Sequence, residues 1–82
     1  MKKIRFSPVA QADVRSIDQQ TAMRILAGLH RYAETGQGDV KVLTDDELGL
    51  SRLRVGDYRI LFDETADSIL VHRVPHRREA YR

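Results

Sequence analysis

Apolar positions recur along the chain with two different periods, and the change from one to the other divides a helical first half from a strand-rich second half. Ile4 and Phe6 alternate with Lys3 and Arg5, which predicts a short, half-buried strand over Lys2–Phe6. Ser7-Pro8 reads as a helix start, because the serine oxygen can accept from a free backbone N–H and proline is already set for the first helical position. A first helix follows from Pro8 to about Ser16, carrying the small apolar residues Val9, Ala10, Ala12 and Val14, with Ile17 just beyond it. Asp18 then serves as the cap of a second helix. From Gln19 to Glu34 the residues Ala22, Ile25, Leu26, Leu29, Tyr32 and Ala33 recur at three- and four-residue spacing, the clearest helical stripe in the chain and the one expected to cover a sheet. Gly36 and Gly38 end it. The Gly-x-Gly pair has neither a preceding strand nor the further glycine or Lys-Ser/Thr of a phosphate loop, so it is read as a helix terminator.

Val40, Val42 and Leu43 fit either a strand or a helical turn, and Thr44-Asp45-Asp46-Glu47 forms an acidic stretch to which no function is assigned. Alternation with period two resumes at Leu50. Gly56-Asp57 fits a two-residue hairpin turn with glycine in its first central place. That turn pairs Val55 with Tyr58, Arg54 with Arg59, Leu53 with Ile60 and Arg52 with Leu61, so the apolar residues share one side and the arginines the other. Like charges directly opposite each other repel, and such a pair either splays into water or holds an anion between its members. The second alternative is the working expectation. After Phe62 a polar turn leads into a last strand over Ser68–Val74. A loop of Glu64 to Asp67 would pair Arg59 with His72 and Leu61 with Leu70, placing His72 on the arginine face, and an odd loop length would reverse that. Pro75 cannot donate to a ladder and is expected to end the strand, leaving His76 to Arg82 as a basic tail. The pattern predicts an α+β fold in one domain, residues 1–82: an N-terminal strand, a helical hairpin, then an antiparallel meander with the helices packed on one face.

Composition sharpens this picture mainly through its distribution. The net charge is only +2, and acidic and basic residues balance up to residue 49. From residue 50 onward Arg52, Arg54, Arg59, Arg73, Arg77, Arg78 and Arg82 face Asp57, Asp63, Glu64, Asp67 and Glu79, and every basic residue there is arginine. Arginine in place of lysine suits planar, bidentate recognition of phosphate, so a polyanionic partner is the expectation and a merely solvated basic surface the plainer alternative. The absence of cysteine excludes disulfides and thiolate chemistry. No signal peptide or membrane span is read in the sequence, which predicts a cytoplasmic protein without membrane association. His72 and His76 have metal-ligand spacing only on a helix, and Pro75 falls between them, so neither a metal nor a cofactor is expected.

Together the hairpin and tail hold the parts for cutting RNA without metal. In that reaction the ribose 2′-hydroxyl attacks the neighbouring phosphate, so a base must take its proton, an acid must protonate the leaving 5′ oxygen, and cations must stabilise charge on phosphorus. Guanidiniums serve the last role and are poor proton carriers. Tyr81 and His76 are therefore the proton-transfer candidates, each with a plainer reading: Tyr81 as a frayed terminal residue, His76 as a phosphate contact. His72 and His30 have plainer readings as packed neighbours, and Tyr32 and Tyr58 as core.

Arg52-Leu53-Arg54-Val55-Gly56-Asp57-Tyr58-Arg59-Ile60, the strand Ile69–Val74 and then His76-Arg77-Arg78-Glu79-Ala80-Tyr81 resemble the RelE group within the RelE/ParE toxins of type II toxin–antitoxin systems. The resemblance covers nearly the whole chain and is most specific in its C-terminal half. It implies a toxin that enters the ribosomal A site and cleaves mRNA, leaving cyclic-phosphate and 5′-hydroxyl ends, until a cognate antitoxin wraps and silences it. The family's strand pair of basic residues falls on Arg52 and Arg54, its arginine after the turn on Arg59, its arginine in the closing segment on Arg77, and its terminal tyrosine on Tyr81. Arg73 and Arg78 are further RNA-binding candidates. The strand pair is often lysine in the family, and His76 takes a place that is often basic but not imidazole, so the division of labour in the site would differ. Two alternatives share the sequence evidence: a ParE-like poison of DNA gyrase on the same fold, and a nonenzymatic RNA-binding module. The chain has no tryptophan, and base-stacking modules usually expose several aromatic rings, which counts against the last.

Overall fold

A computed structural model describes residues 2–43 and 50–79. The elements are β1 (Lys3–Phe6), α1 (Pro8–Arg15), α2 (Gln19–Thr35), β2 (Asp39–Val42), β3 (Ser51–Val55), β4 (Tyr58–Glu64) and β5 (Ser68–Arg73). The strands form one five-stranded sheet in the order β1-β5-β4-β3-β2, with β1 parallel to β5 and the other neighbours antiparallel. Among the described residues, no helix is long and apolar enough to cross a membrane.

The helix ends follow the sequence signals. Ser7 Oγ accepts the Ala10 N–H at 3.0 Å and the Asp18 carboxylate accepts that of Thr21 at 3.0 Å. Gly36 closes α2 in the left-handed region at φ 75°, its N–H donating to the Tyr32 carbonyl at 2.8 Å. Helix α2 buries Ile25 and Leu29 against Leu53, Ile60, Phe62, Ile69 and Val71. It lies so close to β3 that a Cβ at Gly28 would stand 2.9 Å from a Val55 methyl. Of the apolar residues expected on α1, only Ala10 is fully buried, while Val9 is 53% exposed.

The hairpin register is the predicted one, from Val55 opposite Tyr58 to Arg52 opposite Leu61. Residues 39–42, which the sequence left open between strand and helix, form β2 at the sheet edge. The acidic stretch expected to form a loop, Thr44 to Glu47, lies outside the described residues.

The last strand departs from expectation. Leu61 pairs with Arg73 rather than Leu70, Phe62 pairs with Val71, and the register shifts between Leu61 and Phe62. His72 is thus the extra residue of a β-bulge and does not pair with Arg59. The reason is burial: Ile69, Val71 and Val74 are all in the core, and strict alternation cannot bury the last of these with the first two. Nor does pairing stop at Pro75, because its carbonyl accepts the Arg59 N–H at 3.0 Å and His76 forms a further antiparallel bridge with Tyr58.

At the opposite end of the sheet, the Tyr32 hydroxyl donates to Glu64 at 2.6 Å and Lys2 pairs with the other oxygen of the same carboxylate. Burial, and then the bond to Glu64, push the Tyr32 phenol up to about 12. A raised acid favours its neutral form in the fold, so the stability linked to Tyr32 is complete below the ordinary tyrosine value of about 10 and is lost as pH rises toward 12. Alkaline titration followed by tyrosinate absorbance should show a late step near 12 that Tyr32→Phe removes, together with part of the alkaline loss of stability.

Candidate functional site

Three stretches of sequence meet at the Gly56-Asp57 turn: the end of β3, the start of β4 and the segment after β5. Gly56 has φ 58°, and no described residue other than glycine has a positive φ, so Asp57 completes a turn with glycine in its first central place. The turn exposes two carbonyl oxygens toward arginines.

Arg54 and Arg59 stand opposite each other as the hairpin register requires, yet they are not an equivalent pair. Arg54 is exposed, whereas Arg59 retains only 6% of its surface. The Arg59 Nη1 donates to the carbonyls of Gly56 and Tyr58, both at 3.2 Å. Its Nε is buried with no hydrogen-bond partner among the described residues. Of the like-charge pair, one guanidinium thus turns back onto its own turn, where carbonyl dipoles stabilise it, and the other is exposed.

The other predicted arginines divide between this turn and more distant contacts. Arg77 donates its backbone N–H to the Asp57 carbonyl at 2.6 Å, and its Nε lies 3.7 Å from the Asp57 carboxylate. Arg52 reaches Asp39 on β2 at 3.4 Å. Arg78 is exposed. Arg73, expected to contact RNA, is engaged with Asp13 of α1, its Nε 2.8 Å from the carboxylate. Burial pulls the Asp13 carboxyl upward, but hydrogen bonds from Arg73 and the Val74 N–H outweigh it and hold the group below its ordinary value.

His76 packs its ring edge-on against Tyr58, the centroids 5.3 Å apart. Its Nδ1 accepts the Arg78 N–H at 3.2 Å, which in the neutral ring fixes the proton on Nε2. Tyr81, the other proton-transfer candidate, lies outside the described residues. His72 has a buried Nε2 without a partner among the described residues, and its carbonyl accepts from Ser7 Oγ at 2.9 Å.

Sequence reasoning named the cations and missed their acidic partners. Asp57 was visible as a turn residue, but Asp13 and Asp39 come near the arginines only through tertiary pairing, and no local pattern announces them.

The family described as ParE toxin of type II toxin-antitoxin system, parDE, matches residues 4–81. No curated protein sequence matches the chain. Among solved structures, the RelB–RelE antitoxin–toxin complex from Methanococcus jannaschii is similar at TM-score 0.74 and 23% identity, over 94% of each chain. The archaeal RelE–RelB complex from Pyrococcus horikoshii is similar at TM-score 0.76 and 19% identity, over 96% of this chain and 98% of that one. The toxin–antitoxin complex RelBE2 from Mycobacterium tuberculosis is similar at TM-score 0.63 and 26% identity, over 92% of this chain and 96% of that one.

The unequal arginines should separate in a stability measurement. Arg59→Ala deprives two carbonyls of a charged donor and is expected to lower unfolding free energy by about 1–3 kcal/mol, whereas Arg54→Ala should stay within about 0.5 kcal/mol of the parent in urea denaturation.

Proposed function

The chain belongs to the ParE toxin family of type II toxin–antitoxin systems, within the RelE/ParE superfamily, and from that premise we propose that it inhibits translation as a metal-independent endoribonuclease of mRNA in the ribosomal A site. The observation that carries this reading is the return of the chain alongside β4 after Pro75, which gathers Arg59, His76 and Arg77 at one turn. Guanidiniums with a partly or fully protected setting, beside an imidazole that offers an Nε2 proton, are the equipment for in-line attack by a 2′-hydroxyl.

In this proposal Arg59 and Arg77 stabilise the charge that develops on the phosphate oxygens. His76, as the imidazolium, gives its Nε2 proton to the leaving 5′ oxygen, which requires Nδ1 to take up a proton and release the Arg78 N–H, and Tyr81, as the tyrosinate, takes the proton of the attacking 2′-hydroxyl. The O2′–P bond forms as the P–O5′ bond breaks, leaving a 2′,3′-cyclic phosphate and a free 5′-hydroxyl. Arg52, Arg54 and Arg78 bind the phosphates on either side. Arg73, paired with Asp13 but with half of its side chain exposed, joins them as a phosphate contact at the margin of the site. Loose cationic contacts do not align a flexible phosphodiester, so the ribosome supplies the remaining positioning and free RNA is a poor substrate. The reaction as written uses no cofactor.

A cognate antitoxin is the proposed protein partner, supported by the assembly of the similar toxins into toxin–antitoxin complexes. It would offer acidic and apolar segments to the basic turn and fold as it binds. Action on mRNA and ribosomes sets the protein in the cytoplasm. A second reading, binding and poisoning of DNA gyrase, is favoured by the family match itself.

Mapping new 5′ ends in a translation reaction with purified ribosomes and a defined message distinguishes the two. Cuts confined to translated message, reduced about a hundredfold or more in Arg59→Ala protein that still folds, are the expected result. Growth arrest without cuts, accompanied by gyrase-dependent DNA breaks, would replace the nuclease with the gyrase poison.

A further inference from the structure

Strand β1 ends opposite Val71, so among the described residues the outer edge of β5 beyond that residue has no strand beside it. Helix α1 occupies the gap with side chains. Ser7 Oγ donates to the His72 carbonyl at 2.9 Å while capping its own helix. Further along the same helix, Asp13 Oδ2 accepts the Val74 N–H at 2.8 Å and Arg73 Nε at 2.8 Å, with Arg73 Nη2 3.4 Å from Oδ1.

The bulge explains why these groups need partners. An extra residue reverses the alternation of backbone groups between the two edges of a strand. Arg73 now pairs with Leu61 of β4, and the His72 carbonyl and Val74 N–H turn to the outer edge. Val74 is 2% exposed, so its N–H could not be left to water without cost.

Beyond Val74, Pro75 has no N–H to give, and among the described residues the backbone hydrogen bonds of the return along β4 are those of the Arg59 N–H to the Pro75 carbonyl at 3.0 Å and of the Arg77 N–H to the Asp57 carbonyl at 2.6 Å. Asp13 fixes the residue immediately before this pairing begins. We infer that Asp13 is a positioning residue for the basic C-terminal segment: by clamping Arg73 and the Val74 amide it sets the register in which His76 and Arg77 lie against the Gly56-Asp57 turn. It touches no substrate. Its low carboxyl value agrees with this, since an ionised acceptor is the form that both donors stabilise.

The consequence for RNA cleavage rests on the proposed activity, but the positioning itself does not. Amide hydrogen exchange of the full-length protein tests it directly, comparing Asp13→Ala and Asp13→Asn with Asp18→Ala, which removes the cap of α2 without touching β5. In Asp13→Ala the Arg59 and Arg77 amides should exchange about tenfold faster relative to the Ile60 and Phe62 amides, while Asp18→Ala leaves that ratio unchanged. Asp13→Asn retains an acceptor for the Val74 N–H and should fall between the parent and the alanine variant. If Asp13→Ala does not fold, the asparagine variant and Arg73→Gln carry the same comparison. Exchange at Arg59 and Arg77 that rises only in step with the core amides would overturn the inference and leave Asp13 a general staple. In the translation reaction, Asp13→Asn should lower kcat several-fold and leave KM for the message unchanged; an unchanged kcat beside loosened amides would overturn the extension to catalysis. A parent protein that cuts no message defeats the nuclease reading alone, because the exchange ratios still decide the role of Asp13.

Discussion

The backbone of the Gly56-Asp57 turn is the point on which the site depends. Its first residue takes a positive φ that a side chain would strain, and that geometry lets β3 and β4 meet in the register that brings Arg54 opposite Arg59. The same two residues then act as acceptors. The Gly56 carbonyl holds the Arg59 guanidinium, and the Asp57 carbonyl holds the Arg77 amide. A slip by one residue here would send Leu53 and Ile60 into water and separate the turn from the segment it receives. Register, burial and charge placement are therefore one constraint at this point of the chain.

The second decisive feature is the half-step in β5. Ile69 and Val71 keep period two, but the next buried apolar residue is Val74, with an arginine at the position that alternation would bury. Inserting one unpaired residue satisfies both demands at the expense of redirecting backbone groups toward α1. It also re-aims the chain beyond it. Pro75 enters beside β4 with its carbonyl facing Arg59, and His76 comes to lie against Tyr58.

Those features were not equally legible in the sequence. Caps and hairpin register depend on residues within a few positions of one another, so Ser7, Asp18, Gly36 and Gly56 announced their roles directly. The break in apolar phase between Val71 and Val74 was a readable sign of the bulge, but treating Pro75 as the end of pairing hid it. Strand β2 is short, and only Val40 and Val42 distinguish it, the latter 61% exposed, so its identity comes from pairing with β3 rather than from its own pattern. The contribution of Asp13 was illegible for a different reason. Its partners lie about sixty residues away in sequence and meet it only once the sheet has assembled. The basic residues of the site could be named from the chain alone; which of them are held, and by what, could not.

That last distinction bears on how a single fold can serve toxins with different targets. A cationic edge by itself attracts any polyanion, and exposed ion pairs such as Arg77 with Asp57 add little stability, about 0–1 kcal/mol, so a phosphate can replace the carboxylate at small cost. Arg59 is different in kind. It is buried and held by neutral carbonyls, which orient the guanidinium without cancelling its charge. Among the described residues no carboxylate pairs with it, and under the proposed reading a charge so fixed needs no reorganisation when negative charge develops beside it, the property that separates transition-state stabilisation from simple attraction. In the proposed function the exposed arginines gather the nucleic acid and the buried one gives the site a direction.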